Sequence, residues 1–236
     1  MNKDRIDMMN ERLKDSKPQL DVERAKLVMR ASSEGIPIVL HDATLDRTTN
    51  GKGEPEKLTL AEIKRLNASY AVGAERFDEP RMEGVTVPTF EEVLAAFSRR
   101  TLMNIQIYAK SDDVLREICR LYRAYGMYDR GYLSINNREQ FDRVRELDAG
   151  IEICFLPGWE NRSTPEALRL CRELGCRFVQ PVRETVTAGT VALCRELGLR
   201  ENLFFCDDPA EAVRLAREGV RGFLTNRITA MAPIRY

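Results

Sequence analysis

The chain has 236 residues, 37 basic against 37 acidic side chains and 43% hydrophobic residues, which suits one domain over 1–236 with a sizeable core. The balanced charge gives no electrostatic field that would attract nucleic acid. No apolar run approaches the roughly 18 residues of a transmembrane helix. The charged N-terminus does not resemble a secretory signal. The six cysteines form no CxxC pair, which favours free thiols in the cytoplasm over a zinc site.

The sequence pattern of the first 41 residues predicts a helix followed by a hairpin. The stretch "RIDMMNERL" has helical spacing, because Ile6, Met9 and Leu13 would share one face. The apolar run "KLVMRA" from Lys26 predicts a strand, and "IPIVLH" from Ile36 predicts a second strand that folds back on it. No strand pattern precedes residue 26.

Strand and helix patterns alternate over the rest of the chain. The predicted strands are "LMNIQIY", "GYLSI", "IEICFL", "RFVQPV", "NLFFC" and "GFLTN". Helix starts are predicted where a capping oxygen stands three residues before a Glu, at Thr59, Thr89, Asn136, Ser163 and Asp208. Helix ends are predicted at Gly175, Gly198 and Gly219. This alternation predicts an α/β fold, a TIM-type (β/α) barrel that lacks a regular first strand if "IPIVLH" is a side hairpin.

Four phrases in a fixed order carry a family resemblance. They are "VLHDATLDRTTNGKG", "LTLAEIKRLNA", "VPTFEEVLAAF" and "MNIQI". Together with the closing "CDDPAEAVRLAREGVRGFLTNR", they resemble the signatures of the glycerophosphodiester phosphodiesterase family over about 26–230. The resemblance implies a TIM-type barrel with its site at the C-terminal strand ends. It also implies hydrolysis of glycerophosphodiesters to glycerol 3-phosphate and an alcohol, with two histidines as acid and base. Three carboxylates would hold a divalent cation, Ca²⁺ or Mg²⁺.

The chain departs from the family pattern at those functional positions. His41, the one histidine of the chain, stands at a family general acid/base position, so the first family histidine is absent. Without gaps, the first two metal carboxylates correspond to Lys26 and Val28; an alternative that places Gln19 to Asp21 there needs about seven extra residues and still loses one carboxylate. The third corresponds to Gln106. Since a hard cation needs several anionic oxygens, no bound metal is expected.

Four side chains are weak candidates for binding substrate: Lys26, Arg47, Gln106 and Lys110. Lys26 could bind a phosphate directly as a point charge, or could simply reach solvent. Arg47 could bind an anion, or could hold the loop by pairing with a carboxylate. His41 could still act as a general acid, or could be a polar group of the barrel rim.

Four functions remain open from the sequence. The first is a divergent, impaired phosphodiesterase that takes its second acid or base from Lys110, Asp42 or Tyr108. The second is a metal-free pseudoenzyme that binds a small phosphate-bearing ligand. The third is an interaction subunit that accepts a partner strand at an open barrel edge, as a homo- or hetero-oligomer. The fourth is an N-terminally truncated gene product.

Overall fold

The computed structural model describes residues 24–231. The predicted N-terminal helix, the alternative segment Gln19 to Asp21 and any strand before residue 24 lie outside the described residues. The strands are β1 (Arg24–Ala31), β2 (Pro37–Val39), β3 (Ala71–Val72), β4 (Glu75–Arg76), β5 (Leu102–Ile107), β6 (Gly131–Ile135), β7 (Ile153–Phe155), β8 (Phe178–Val179) and β9 (Arg200–Glu201).

Helices lie between the strands as the alternation predicts. They are α1 (Leu60–Lys64), α2 (Phe90–Phe97), α3 (Asp112–Ala124), α4 (Arg138–Leu147), α5 (Pro165–Glu173), α6 (Ala188–Glu196), α7 (Pro209–Arg217) and α8 (Ile228–Met231). Three 3-10 helices, Pro55–Lys57, Met127–Asp129 and Trp159–Asn161, lie in the connections. None of the helices within the described range is long and apolar enough to cross a bilayer.

The strand pairing has the order expected of a TIM-type barrel. β1, β5, β6 and β7 are neighbours and run parallel, and β8 pairs in parallel with β9. Two isolated parallel bridges continue this strand order. One pairs Val182 with Phe204, and the other pairs Leu203 with Phe223. β2 lies antiparallel to β1, which confirms the side hairpin. Within residues 24–231 the backbone bonds form separate sheets and bridges rather than one closed ring.

Local hydrogen bonds explain where most helices begin and end. Thr59 and Thr89 each form a complete capping box, and the Asp208 side chain caps α7. Gly175, Gly198 and Gly219 have positive φ, which confirms the predicted helix ends.

Two predicted caps are wrong by one residue. The side chain of Asn137, not that of Asn136, accepts hydrogen bonds from the backbone N–H groups of Glu139 and Gln140 at the start of α4. Thr164, not Ser163, caps α5, with Pro165 at the first helical turn. The Ser163 hydroxyl instead accepts the Val182 amide at 3.1 Å, so a contact distant in sequence decides which of two adjacent capping side chains begins the helix.

The alternating side chains of β5 separate the packed exterior of the barrel from its polar interior. Met103, Ile105 and Ile107 are buried in the main hydrophobic cluster, which includes residues of α3 and α4. Asn104 points to the other face, where its Oδ1 accepts the Ser134 hydroxyl at 2.6 Å. Gln106 follows on this face, two residues nearer the C-terminal strand ends.

The base of the interior is filled by aromatic rings. Tyr132 stacks on Phe178 with ring centroids 4.9 Å apart, and its hydroxyl accepts a hydrogen bond from Asn202 at 2.7 Å. These contacts join β6, β8 and the segment after β9.

We expect Ile105→Ala to lower the free energy of unfolding by about 3 kcal/mol, because it leaves a cavity in the main core. Val72→Ala, at a position 60% exposed, is the control and should change stability by less than about 0.5 kcal/mol. Urea denaturation followed by circular dichroism measures both. Equal losses in the two variants would contradict the placement of Ile105 in the core.

Candidate functional site

The loop after β2 is held by a bidentate ion pair. Asp42 accepts hydrogen bonds from Arg47 Nε at 2.5 Å and Nη2 at 2.9 Å. Arg47 Nη1 donates to the Gly73 carbonyl at 2.5 Å. The hydrogen bonds from Arg47 lower the pKa of Asp42 to about 2. The guanidinium is therefore occupied by loop contacts, which supports the structural interpretation of Arg47 over anion binding.

Further hydrogen bonds inside the same loop explain why its motif contains threonine, aspartate and glycine residues. The Thr49 hydroxyl donates to the Leu45 carbonyl and accepts the Gly51 amide. The Asp46 carboxylate accepts the amide of Gly53, which adopts a positive φ of 80°. The motif thus builds a rigid loop through its own side chains.

His41 lies at the exposed edge of this loop, with 69% of its side chain accessible. Its Nδ1 lies 2.9 Å from Asp42 Oδ1, and Nδ1 is the donor because an ionised carboxylate only accepts. This bond orients the ring and leaves Nε2 as the atom that could exchange a proton with a ligand. With one histidine in the chain, a second imidazole cannot complete an acid–base pair.

The register of β1 against β5 brings together the three residues that the sequence, read without gaps, predicts at the family's metal positions. Val28 is paired with Gln106, and Lys26 with Asn104. Gln106 Nε2 donates to the Tyr108 hydroxyl at 3.0 Å, and Gln106 Oε1 is buried without a hydrogen-bond partner among the described residues. We call this end of the interior the barrel mouth, defined by Lys26, Val28, Gln106, Tyr108, Arg162, Gln180 and Phe204.

Arg162 is a mouth residue that the sequence reasoning missed. It follows the 3-10 helix after β7, and its Nη1 lies 3.4 Å from Gln180 Oε1. Arg162 Nε and Gln180 Nε2 are buried donors without a partner within residues 24–231. The position of Arg162 could have indicated a site residue, because it is a basic residue in a turn after a barrel strand and barrel sites are built from those turns.

Lys26 and Arg162 are two partly buried cations of the mouth. Burial and the nearby charge of Arg162 lower the pKa of Lys26, and burial lowers the pKa of Arg162. Lys26 Nζ lies 5.0 Å from the ring centroid of Phe204. Neither cation forms a salt bridge with any of the described residues. The mouth therefore holds positive charge that no carboxylate of residues 24–231 compensates.

Aromatic side chains form one wall of the mouth. The rings of Trp159 and Phe204 meet edge to face, with centroids 5.1 Å apart, and Phe205 meets Phe204 in the same way at 5.4 Å. The Arg162 guanidinium lies 5.1 Å from the Trp159 ring centroid. Trp159 is 50% exposed and is the one tryptophan of the chain, so its fluorescence reports on this wall.

Lys110 is placed apart from the two mouth cations. It is exposed and lines a groove of about 1130 Å³ with Arg138 and Arg143, at the N-terminal ends of α3 and α4. Tyr108 lies between the two regions, since it contacts Gln106 and also lines the groove. The structure thus brings Lys26 and Gln106 together and leaves Arg47 and Lys110 in other surroundings.

Comparison with known proteins decides the family. The model of the Glycerophosphoryl diester phosphodiesterase family matches residues 29–230. The chain belongs to this family. A glycerophosphodiester phosphodiesterase of Caldanaerobacter subterraneus is 26% identical over 214 residues, covering 88% of this chain and 84% of the relative. A glycerophosphodiester phosphodiesterase of Bacillus subtilis is 28% identical over 215 residues, covering 85% of this chain and 72% of the relative.

Solved structures of the family share the fold. The Agrobacterium tumefaciens glycerophosphodiester phosphodiesterase superposes with a TM-score of 0.73 at 21% identity, covering 90% of this chain and 87% of that one. An Oleispira antarctica phosphodiesterase was solved with the product sn-glycerol-3-phosphate. It superposes with a TM-score of 0.75 at 19% identity, covering 89% of this chain and 83% of that one. These similarities confirm the predicted α/β TIM-type barrel.

The donor set at the mouth does not fit the divalent cation that the family uses. Such a cation prefers several anionic oxygens. Lys26 offers an ammonium group, Val28 an aliphatic side chain and Gln106 one neutral amide oxygen. Arg162 adds a second positive charge nearby, which would repel a metal ion.

We expect Asp42→Asn to lower the free energy of unfolding at pH 7 by about 1 kcal/mol, because it removes the charged acceptor of Arg47 on a partly exposed loop. The pKa of Asp42 is lower in the folded state, so this contribution is present above about pH 4. It should disappear as the pH falls through about 2.

Chemical denaturation of the two proteins between pH 2 and 7 measures this difference. Asp78→Asn, at an exposed position, is the matched control and should leave stability nearly unchanged. A difference between wild type and Asp42→Asn that persists unchanged at pH 2 would show that the charge of Asp42 is not what holds the loop.

Proposed function

We propose that this chain binds a small phosphate-bearing ligand at the barrel mouth without a divalent cation, and that the family reaction is lost or strongly impaired. The observation that supports this proposal is that Lys26 and Arg162, two partly buried cations of the mouth, have no salt-bridge partner among the described residues. An anion relieves the mutual repulsion of the two cations, whereas a metal ion would add to it.

The hydrogen-bonding groups of the mouth also suit a phosphate. Arg162 offers a planar set of donors, and an arginine can hold two phosphate oxygens at once. The unpartnered Nε2 of Gln180 is a further buried donor beside it. Buried donors without acceptors cost free energy, so a ligand that supplies oxygens there gains the hydrogen bonds that the protein lacks.

Hydrolysis by the family mechanism would need a second imidazole, which this chain does not supply. His41 is oriented by Asp42 and could donate or accept one proton. The pKa of Asp42 is about 2, so this carboxylate carries no proton to donate at neutral pH. It is also occupied by Arg47. Without a metal ion or a second acid, the leaving alkoxide is not stabilised.

The proposal extends to a cytoplasmic location and a glycerol phosphate ligand. All six cysteines are buried free thiols, which suits a reducing compartment. The Oleispira antarctica relative was solved with sn-glycerol-3-phosphate, which makes this compound the first ligand to test here.

We expect glycerol 3-phosphate to change the fluorescence of Trp159, because Arg162 lies against that ring. Lys26→Gln and Arg162→Gln should each weaken binding about tenfold or more, since each removes one ligand-facing charge. Lys110→Gln, outside the mouth, is the matched control and should bind like wild type.

Hydrolysis is assayed on the same preparation. Release of glycerol 3-phosphate from glycerophosphocholine or glycerophosphoethanolamine should stay at background with Ca²⁺ or Mg²⁺. Robust turnover that a chelator and His41→Ala both abolish would contradict the proposed loss of activity. Absence of any fluorescence change at millimolar glycerol 3-phosphate, with calorimetry also flat, would contradict the proposed binding.

We expect metal binding to appear when carboxylates are introduced at the mouth. The triple variant Lys26→Glu, Val28→Asp, Gln106→Glu should gain a melting-temperature increase of a few degrees with millimolar Ca²⁺ or Mg²⁺. The variant Lys26→Gln, Val28→Asn has similar shapes without the charges and should gain none. A comparable increase in wild type would contradict metal-free binding.

A further inference from the structure

The charged groups around the mouth fall into paired and unpaired sets. Arg30, on the same face of β1, lies 3.7 Å from Glu56, and Arg47 is paired with Asp42. Each of these two arginines has a carboxylate partner, and Arg30 Nε is also buried without a hydrogen-bond partner among the described residues. Lys26 and Arg162 have no such partner among the described side chains, and Gln106 and Gln180 add only uncharged amides. Lys26 and Arg162 are therefore two cations of the mouth that no described carboxylate neutralises.

From this charge we infer that the mouth selects phosphate monoesters over phosphodiesters. A monoester carries close to two negative charges above pH 7, whereas a diester carries one. A dianion neutralises both Lys26 and Arg162, while a monoanion leaves one partly buried cation uncompensated, which is unfavourable. The inference rests on the proposed function, since it concerns which ligand the same site prefers.

The unpartnered donors support the same preference. Arg162 Nε and Gln180 Nε2 are buried donors that need acceptors, and the Lys26 ammonium group lies over Phe204 in the same mouth. A monoester presents three terminal oxygens as strong acceptors. A diester presents two, because its third oxygen carries the second organic group. A monoester can therefore supply an acceptor to each of the three side chains.

This preference gives the chain a place relative to the family reaction. The family reaction converts a diester to glycerol 3-phosphate and an alcohol, so a monoester is its product. The mouth of this chain is then a receptor for the kind of compound that phosphodiester hydrolysis supplies. Retention of the product is unfavourable for turnover but suits a binding protein.

The test compares two ligands that differ by one methyl group. Methyl phosphate and dimethyl phosphate are titrated at pH 7.5 by calorimetry and Trp159 fluorescence. Glycerol 3-phosphate and glycerophosphoethanolamine form a second pair with a larger organic part. We expect each monoester to bind about tenfold tighter or more than its diester.

Two variants separate charge from shape. Lys26→Met keeps a long side chain but removes the ammonium group, and it should bring the monoester-to-diester ratio close to one. Lys110→Met is the matched control and should preserve the wild-type ratio. Thermal unfolding of each variant establishes that it is folded, and Arg162→Gln is the second mouth variant if Lys26→Met unfolds.

The possible results separate this inference from the proposed function. Failure of all four compounds to bind contradicts the proposed function itself. Equal affinity for monoester and diester keeps the proposed function and overturns the selectivity. A preference that survives unchanged in both Lys26→Met and Arg162→Gln overturns the charge mechanism.

Discussion

The parallel register of β1 against β5 is the constraint on which the mouth depends. It pairs Val28 with Gln106 and carries Lys26 on the same strand. Because strand side chains alternate, this pairing turns the three residues to the interior while Met103, Ile105 and Ile107 enter the core. The position of the site therefore follows from the same packing that stabilises the barrel.

The barrel mouth is cationic, and the loop beside it carries the family motif. Lys26 and Arg162 have no carboxylate partner among the described residues. In the His41 loop, Asp42 binds the Arg47 side chain, while Thr49 and Asp46 bind backbone groups of the loop. None of these contacts requires a metal ion, so the motif has a structural role of its own.

Local sequence patterns predicted the elements well and individual contacts less well. The capping boxes at Thr59 and Thr89 and the side hairpin are confirmed, since each depends on residues close in the chain. The caps at Asn136 and Ser163 were wrong because two adjacent side chains could each cap, and Val182 occupies one of them. The predictions of a strand-accepting edge and of a truncated start stay predictions.

The sequence by itself determined the family and the order of strands and helices, and it predicts Lys26, Val28 and Gln106 at the metal positions. Only the tertiary structure decided that Arg162 joins Lys26 and that Arg47 does not. Arg162 is far from Lys26 along the chain, whereas Arg47 finds Asp42 five residues away. Electrostatic interactions depend on distance in space, so the charge of the mouth is set only when the barrel brings β1 and the turn after β7 together.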